Sequence, residues 1–280
     1  MSQTVLGEGK LRKMTAELDA GVPQYRLPLG DGDAPLNPLL GRQISLNFLG
    51  SINCVYCDRL TKKSFNQGYC YPCFKRLAQC DSCIVSPQKC HFAAGTCREP
   101  EWGEANCMID HFVYIANTSG LKIGITRGTQ VPTRWIDQGA TQALPVLRVA
   151  NRLDSGLAEV TFAEHVADKT AWQAMLKGAN DDLDMPAERD RLLELCQTKI
   201  DGLREERGLD AITPLDALDV TTISYPVIEY PSKVKSMTFD KLERVAGKLM
   251  GIKGQYLMLD TGVINMRRHA GYAVNLSVED

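Results

Sequence analysis

Alternation of apolar and polar residues is the first regular feature of the chain, and it predicts β-strands near both ends. Near the N-terminal end the strand period covers residues 10–18 and 43–49, with a turn-rich stretch at residues 30–35 between them. Near the C-terminal end it covers residues 223–230, 248–259, 262–267 and 271–276. We therefore expect a small β unit in residues 216–280. The pattern leaves open whether the strands of residues 1–50 pair with it.

The middle of the chain carries a different order of patterns: two strands, a helix, a strand and a helix. Ser119 and Gly120 form a tight turn signal between the first two strands, which predicts a hairpin. Pro132 suits the first turn of the first helix, and Asp154 or Ser155 can cap the second. The predicted elements are strands at residues 111–117, 121–126 and 143–150 and helices at residues 132–138 and 154–167.

A long amphipathic helix is predicted after this unit, over residues 185–208, and Gly208 suits its C-terminal cap. Four aliphatic residues mark its apolar face: Leu192, Leu195, Ile200 and Leu203. Its other side is acidic, which is typical of a solvated face. Helices and strands in this order predict an α+β protein.

Cysteine content separates residues 51–108 from the rest of the chain. Eight of the ten cysteines lie between Cys54 and Cys97, in a segment with few apolar residues to bury. Residues 1–18 lack the apolar centre of a signal peptide, and no apolar run is long enough to span a bilayer. We therefore expect a cytoplasmic protein that does not associate with a membrane. In a reducing cytoplasm, clustered cysteines are more often metal ligands than disulfides.

Two C-x2-C pairs, Cys54 with Cys57 and Cys70 with Cys73, stand a short loop apart. Each pair lets two thiolates reach one ion, and two pairs complete the tetrahedral thiolate set that is typical of structural zinc. An iron–sulfur cluster, a redox pair and free buried thiols are the alternatives, and free thiols do not explain the paired spacing. We predict a structural zinc ion here, which stabilises a segment with little apolar core.

A third pair, Cys80 with Cys83, is followed by Cys90 and Cys97. These four cysteines are predicted to hold a second metal ion. Three neighbouring residues could replace a member of this set: His91, Cys107 and His111.

The formal net charge of −2 gives the chain no bulk attraction for nucleic acid. Any such binding has to come from local patches. Residues 253–256 and 267–269 put basic groups near turns of the C-terminal strands and are candidates for such a patch.

The middle unit carries two short motifs and two charged residues in a fixed order. Phe112-Val113-Tyr114 stands on the first predicted strand and Lys122-Ile123-Gly124 on the second, and Arg134 and Glu159 follow on the two predicted helices. This arrangement resembles the GIY-YIG nuclease superfamily. The second motif is similar to the compact branch that reads K-I-G, and the likeness covers about residues 110–170. It implies a ββαβα core that acts on DNA or RNA and hydrolyses phosphodiester bonds with Mg²⁺ or Mn²⁺.

The resemblance also implies roles for individual residues. Tyr114 would help to activate the attacking water, Arg134 would stabilise phosphate charge and Glu159 would hold the divalent metal ion. Lys122 stands where the superfamily usually has a tyrosine, and Gly124 where a side chain would obstruct the approach of the backbone. Independently of the resemblance, phosphodiester cleavage needs a planar cation, an oxygen-bound metal ion and a base near water. Arg134, Glu159 and Tyr114 are groups of these kinds.

Two departures from the superfamily pattern keep other functions open. Phe112-Val113 replaces Gly-Ile, and Lys122 is a cation where a phenol is usual. The first alternative is a nucleic-acid-binding protein without catalysis. The second is a protein-interaction adaptor folded by zinc, which the acidic helix of residues 181–206 would suit.

The whole chain also resembles an uncharacterised bacterial family known only as a domain of unknown function, through residues 132–140 and 251–257. This likeness supplies no reaction. The predicted division is N-terminal strands at 1–50, a zinc-binding module at 51–108, a GIY-YIG-like domain at 109–180, an amphipathic helix at 181–215 and a C-terminal β unit at 216–280.

Overall fold

The computed structural model describes residues 3–166, 172–178, 181–216 and 219–279. It is a mixed α+β structure with several sheets. Its described strands are β1 (Gln3–Lys10), β2 (Thr15–Asp19), β3 (Val22–Leu29), β4 (Gly32–Pro35), β5 (Gln43–Ile52), β6 (His111–Asn117), β7 (Leu121–Arg127), β8 (Gln142–Val149), β9 (Ile212–Pro214), β10 (Thr221–Thr222), β11 (Ser236–Met237), β12 (Arg244–Lys253), β13 (Tyr256–Leu259), β14 (Gly262–Asn265) and β15 (Tyr272–Glu279). Its described α-helices are α1 (Tyr71–Arg76), α2 (Pro100–Cys107), α3 (Thr133–Asp137), α4 (Arg152–Ala163), α5 (Trp172–Met175) and α6 (Met185–Arg207).

Strands from the two ends of the chain share the largest sheet. Its order is β1-β15-β5-β12-β13-β14-β11, so N-terminal and C-terminal strands pair with each other. Alternate residues of these strands point into one core, where Leu46 stands opposite both Val245 and Leu276. Because β5 and β12 are neighbours, the chain leaves the sheet after Ile52 and returns beside the same strand at Arg244, with β11 alone of the intervening described strands joining the far edge of this sheet. A small sheet of β2, β3 and β4 packs on the same core.

The middle of the chain forms a second sheet in the order β10-β8-β6-β7, with β9 beside β8. The predicted hairpin is present as β6 and β7, in a register that places Tyr114 opposite Gly124. Val113 and Ile115 pack with α4 and α6 on one face. The other face carries Tyr114 and packs on α3 and the core of the large sheet.

Two helix details differ from the prediction. Asn151, and neither Asp154 nor Ser155, caps α4, because its Oδ1 accepts from the Asp154 N–H at 3.0 Å. The described helix ends at Ala163, and Ala167 lies outside the described residues. In α6 the predicted apolar Leu195 is exposed, and Cys196 is buried in its place.

The predicted strand at residues 223–230 is wrong. This segment runs beside β12 and makes one isolated bridge, from Val227 to Gly251. The rings of Tyr225 and Tyr230 in this segment flank the Nζ of Lys253, at 5.2 and 5.6 Å from the ring centroids.

No helix within the described ranges is long and apolar enough to cross a membrane.

Lys253 is fully buried, and its Nζ has no hydrogen-bond acceptor among the described residues. Burial lowers its pKa to about 8, below the value of about 10.4 expected in the unfolded chain. Between these two values the unfolded chain binds more protons than the folded chain, so the free energy of unfolding rises with pH in this window. Below about pH 8 the cost of the buried charge is fully present.

We expect Lys253→Met to raise the free energy of unfolding near pH 7 by about 1–2 kcal/mol, after allowing for the lost cation–π contacts. The advantage should shrink as the pH rises above about 8. Urea unfolding at a series of pH values measures both effects. Lys248→Met, at an exposed position of the same strand, is the control. A Lys253→Met curve that stays parallel to that of the parent would contradict the prediction.

Candidate metal centre and cationic cleft

The first four predicted metal ligands lie together. The Sγ atoms of Cys54, Cys57, Cys70 and Cys73 are all within 4.8 Å of one another, and those of Cys57 and Cys70 are 3.7 Å apart. Cys54 follows the end of β5, and Cys70 and Cys73 bracket the start of α1, which Pro72 opens. The set could hold a zinc ion.

Backbone groups favour thiolate at one member of this set, Cys54, whereas burial and the neighbouring thiols raise the pKa of Cys73 to about 12. Burial acts to raise the pKa of Cys54, but N–H groups of Cys57, Cys70 and Tyr56 that point at its sulfur lower that pKa to about 6. Thiolate is the form that binds zinc, and N–H donors around the sulfur stabilise it. The backbone around Cys54 therefore stabilises its thiolate as well as setting the spacing of the ligands.

The second predicted set is divided by the structure. Cys80 packs with Leu77 and with Cys54, Cys70 and Cys73 of the first set. Cys83, Cys90 and Cys97 line a different, small cavity, and Cys107 joins them there. The pair spacing of Cys80 and Cys83 therefore does not correspond to a shared position. Cys80 ends the 3-10 turn Ala78–Cys80 and Cys83 stands in the next one, Ser82–Ile84, with Asp81 extended between them.

A cleft of about 670 Å³ lies where the cysteine-rich segment, the β6–α4 unit and the large sheet meet. Six cationic side chains and two carboxylates, Asp137 and Glu159, line it, an excess of four formal positive charges. The cations come from five separate parts of the chain: Arg12, Lys13, Arg127, Arg134, Arg152 and Arg267.

Helix α3 brings Arg134 to this cleft. Trp135 and Ile136 on the same helix are buried, and the ring of Trp135 packs edge-on against Tyr114 with the centroids 5.9 Å apart. Asp137 accepts from Lys13 Nζ at 2.9 Å and from Gln255 Nε2 at 2.8 Å. These contacts hold the helix on both sides, so that Arg134 projects from a fixed base.

Tyr114 lies behind the cleft and does not line it. It is fully buried, and its hydroxyl donates to Gln138 Oε1 at 2.7 Å. Burial raises its pKa to about 12, against the opposing effects of the Arg134 charge and of its hydrogen bonds with Arg134 and Gln138, and the Glu159 charge raises it further. Tyr114, Arg134 and Glu159 are thus neighbours, although only Arg134 and Glu159 reach the open space.

Gly124 and Lys122 have different surroundings from those that the resemblance implied. A Cβ on Gly124 would lie 2.6 Å from the Tyr114 hydroxyl, so the glycine makes room for that ring. Lys122 stands on the same strand, opposite Ala116, and is not among the residues that line the cleft.

Most of the cleft cations could not be identified from the sequence. Arg267 stood in a predicted basic turn and Arg134 in a motif, but Arg12, Arg127 and Arg152 lie in no motif. Arg12, Arg127 and Arg152 come together only because strands from the two chain ends pair and because α4 docks beside them.

We expect Gly124→Ala to destabilise the protein by about 1–3 kcal/mol, because the added methyl group meets the Tyr114 ring in a packed core. Thermal or urea unfolding measures this. Gly202→Ala is the matched control. A Cβ there, in the interior of α6, meets no heavy atom within 4 Å, and it should stabilise the protein by about 0.5–1 kcal/mol. Equal effects of the two substitutions would contradict the proposed packing.

Cys54→Ser should remove one bound zinc ion per chain and lower the free energy of unfolding by on the order of 4 kcal/mol, because the ion stabilises a segment with little apolar core. Elemental analysis and unfolding curves measure the two effects. Cys196→Ser is the control, since its sulfur lies 3.7 Å from the Thr161 carbonyl oxygen in the α4–α6 core, away from both cysteine sets. An unchanged zinc content in Cys54→Ser would refute the site.

Comparison with known families places these features in context. The DUF2797 family, described as a protein of unknown function, matches residues 41–274. The matched region begins just before β5, ends within β15, and includes the cysteine-rich segment and four of the five cleft arginines. No curated protein and no solved structure matches the chain. The chain belongs to the DUF2797 family of proteins of unknown function.

Proposed function

We propose that this protein acts on nucleic acid, that the cationic cleft binds its phosphate backbone, and that a phosphodiester bond is hydrolysed there. The observation that carries the proposal is the concentration of charge. The cleft has an excess of four positive charges, whereas the whole chain has a formal net charge of −2. A concave site lined by one sign of charge attracts ligands of the opposite sign.

The cleft cations stand close to one another in pairs, which supports an anionic ligand. Burial lowers the pKa of Arg267, and the charge of Arg134 lowers it further, against the effect of Asp137. Burial likewise lowers the pKa of Arg152, and Arg127 adds to this. A phosphate between such cations relieves their repulsion, and the planar guanidinium group binds two of its oxygens at once.

Arg134 and Glu159 supply the chemistry of cleavage in this proposal. Arg134 would stabilise the charge that develops on the phosphate oxygens. Glu159 would hold a divalent ion, Mg²⁺ or Mn²⁺. Such an ion is commonly held by only one or two carboxylates, with substrate phosphate and water as the other ligands, so a single carboxylate fits it. Asp137 is already bound to Lys13 and Gln255. The ion would polarise the phosphate.

Tyr114 has a different role from the one that the GIY-YIG resemblance implied. A phenol with a pKa of about 12 is protonated at neutral pH, so we assign Tyr114 to holding Gln138 and Arg134 in place. This leaves the water-activating group of the resemblance unfilled, and it favours a second candidate function, which is binding of nucleic acid without cleavage.

The acidic helix α6 gives little support to the alternative that the protein is a protein-interaction adaptor. Several of its charged residues already form ion pairs, among them Glu188 with Arg191 and Asp201 with Arg204. A partner that recognised this surface would have to displace those contacts.

We predict that binding of nucleic acid to the cleft depends on salt. The affinity for labelled single-stranded and duplex DNA and RNA should fall steeply as the salt concentration rises. Each cation that contacts a phosphate should add about 0.7–0.9 to the slope of log affinity against log salt concentration. Arg134→Ala and Arg267→Ala should each remove about one unit of slope. Arg148→Ala, at a site outside the cleft lining where the arginine pairs with Asp110 at 2.9 Å, should leave the slope unchanged. No binding at low salt would overturn the proposal and favour the adaptor.

The cleavage prediction uses the same oligonucleotides with Mg²⁺ or Mn²⁺. Arg134→Ala and Glu159→Gln should each slow cleavage by on the order of 100-fold or more, and Glu159→Gln should retain binding. Salt-dependent binding without turnover in the parent protein selects the second candidate. Cleavage that survives both substitutions rejects this site as the catalytic one.

A further inference from the structure

Four thiols surround the small cavity beside the cleft. Cys83 stands in the 3-10 turn Ser82–Ile84, and Cys90 directly follows the turn Pro87–Lys89. Cys97 precedes α2, and Cys107 ends that helix. The cavity that they line measures about 10 Å³, which is room for one small sphere the size of a water molecule or an ion.

Helix α2 is shaped to bring two of these thiols together. A Cβ on Gly103 would lie 3.2 Å from Cys97 Sγ and 2.7 Å from the Phe92 ring, so only a glycine lets that thiol rest on the helix. Gly103 and Cys107 are one helical turn apart and therefore share a face. The thiol of Cys97 accordingly lies over the helix face that also carries Cys107.

The same cavity is also lined by Asp81, His91, Phe92 and Trp102. Carboxylate and imidazole groups therefore lie beside the four thiols, and the choice of ligands has to be made among these groups.

Arg152 lies beside the cavity and is suited to a metal centre of four thiolates. It is half-buried, and its guanidinium donates to the carbonyl oxygen of Ile84 at 2.6 Å. A zinc ion with four thiolates carries two net negative charges, and a neighbouring guanidinium offsets part of that charge.

The group of Asp81, Cys83 and His91 is a poorer metal site, although its ligand atoms also lie within 4.8 Å of one another. Asp81 is already engaged by Arg98 at 2.7 Å and by the Ser82 N–H at 2.6 Å. His91 Nδ1 forms a hydrogen bond with Thr96 Oγ1 at 2.8 Å. A metal ion bound by Asp81 would compete with Arg98 and the Ser82 N–H for its carboxylate, whereas one bound by His91 Nε2 would leave the Nδ1 contact in place.

We propose that Cys83, Cys90, Cys97 and Cys107 bind a second structural zinc ion, and that Cys80 belongs to neither metal site. Among the described residues, the sulfurs of Cys83, Cys90, Cys97 and Cys107 do not all lie within 4.8 Å of one another, so the ion has to draw these loops inward. Ile84 and Arg152 also line the cleft. The second ion therefore fixes the wall of the cleft that carries Arg152.

The test is the number of zinc ions per chain, measured by elemental analysis and by native mass spectrometry of the full-length protein. The parent should carry two ions. Cys107→Ser and Cys97→Ser should each carry one, whereas Cys80→Ser, Asp81→Asn and His91→Asn should each retain two. Cys80→Ser and Cys107→Ser are a matched pair, because both replace a buried thiol of the same segment.

One ion in the parent would overturn the proposal. So would retention of two ions in Cys107→Ser, or loss of one in Cys80→Ser, Asp81→Asn or His91→Asn. Where a variant folds poorly, cobalt replaces zinc in the parent protein, and its visible absorption reports how many ions are bound by thiolates. Two such ions support the proposal and one overturns it. Because the readout is metal content, it does not depend on the outcome of the nucleic-acid experiments.

Discussion

The cleft depends on how the buried carboxylate of Asp137 is held. The side chain of Asp137 is only 7% exposed, and an ionised carboxylate in such a place is costly unless it is paired and hydrogen-bonded. Lys13 and Gln255 meet that need. Gln255 in turn bonds both backbone groups of Met14. One carboxylate therefore joins α3, the N-terminal strands and the β12–β13 turn, and it fixes the base from which Arg134 projects.

The two segments through which the chain resembles the uncharacterised family meet at this same junction. Residues 132–140 contain α3, and residues 251–257 contain the turn that meets it. Gly254 has a φ of +60°, and a Cβ there would lie 3.0 Å from the carbonyl oxygen of Asp137. A glycine is needed both for the turn and for the close approach. The lysine of the same turn is buried between two tyrosine rings, so this stretch serves the packing of the protein and does not form a surface basic patch.

Local signals in the sequence predict local structure well here. Turn residues and strand period locate the β6–β7 hairpin, and the paired spacing of Cys54, Cys57, Cys70 and Cys73 predicts a set that the structure brings together. Sequence spacing does not predict the position of Cys80, which packs with the first set while Cys83 lines the small cavity, because extended Asp81 joins the two 3-10 turns that carry them. The alternation in residues 223–230 does not form a strand, because Pro226 has no N–H to offer a sheet neighbour, and the described segment pairs with β12 only through one isolated bridge.

The positive charge of the cleft could not be predicted from the sequence, because the residues that supply it are far apart along the chain. Arg12 and Arg267 are 255 positions apart by their numbers, and the pairing of the two chain ends in one sheet brings both to its rim. Arg12 then donates to the Val55 carbonyl oxygen at 2.7 Å and so contacts the cysteine-rich segment. On the opposite wall, Gly156 of α4 packs on the backbone of Pro87 and Gln88, where a Cβ would lie 2.2 Å from the Gln88 nitrogen. The cysteine-rich segment therefore touches both walls. Because it has little apolar core of its own, its rigidity would depend on the proposed metal ions more than on packing, and the positions of the cleft cations would then depend on those ions as well.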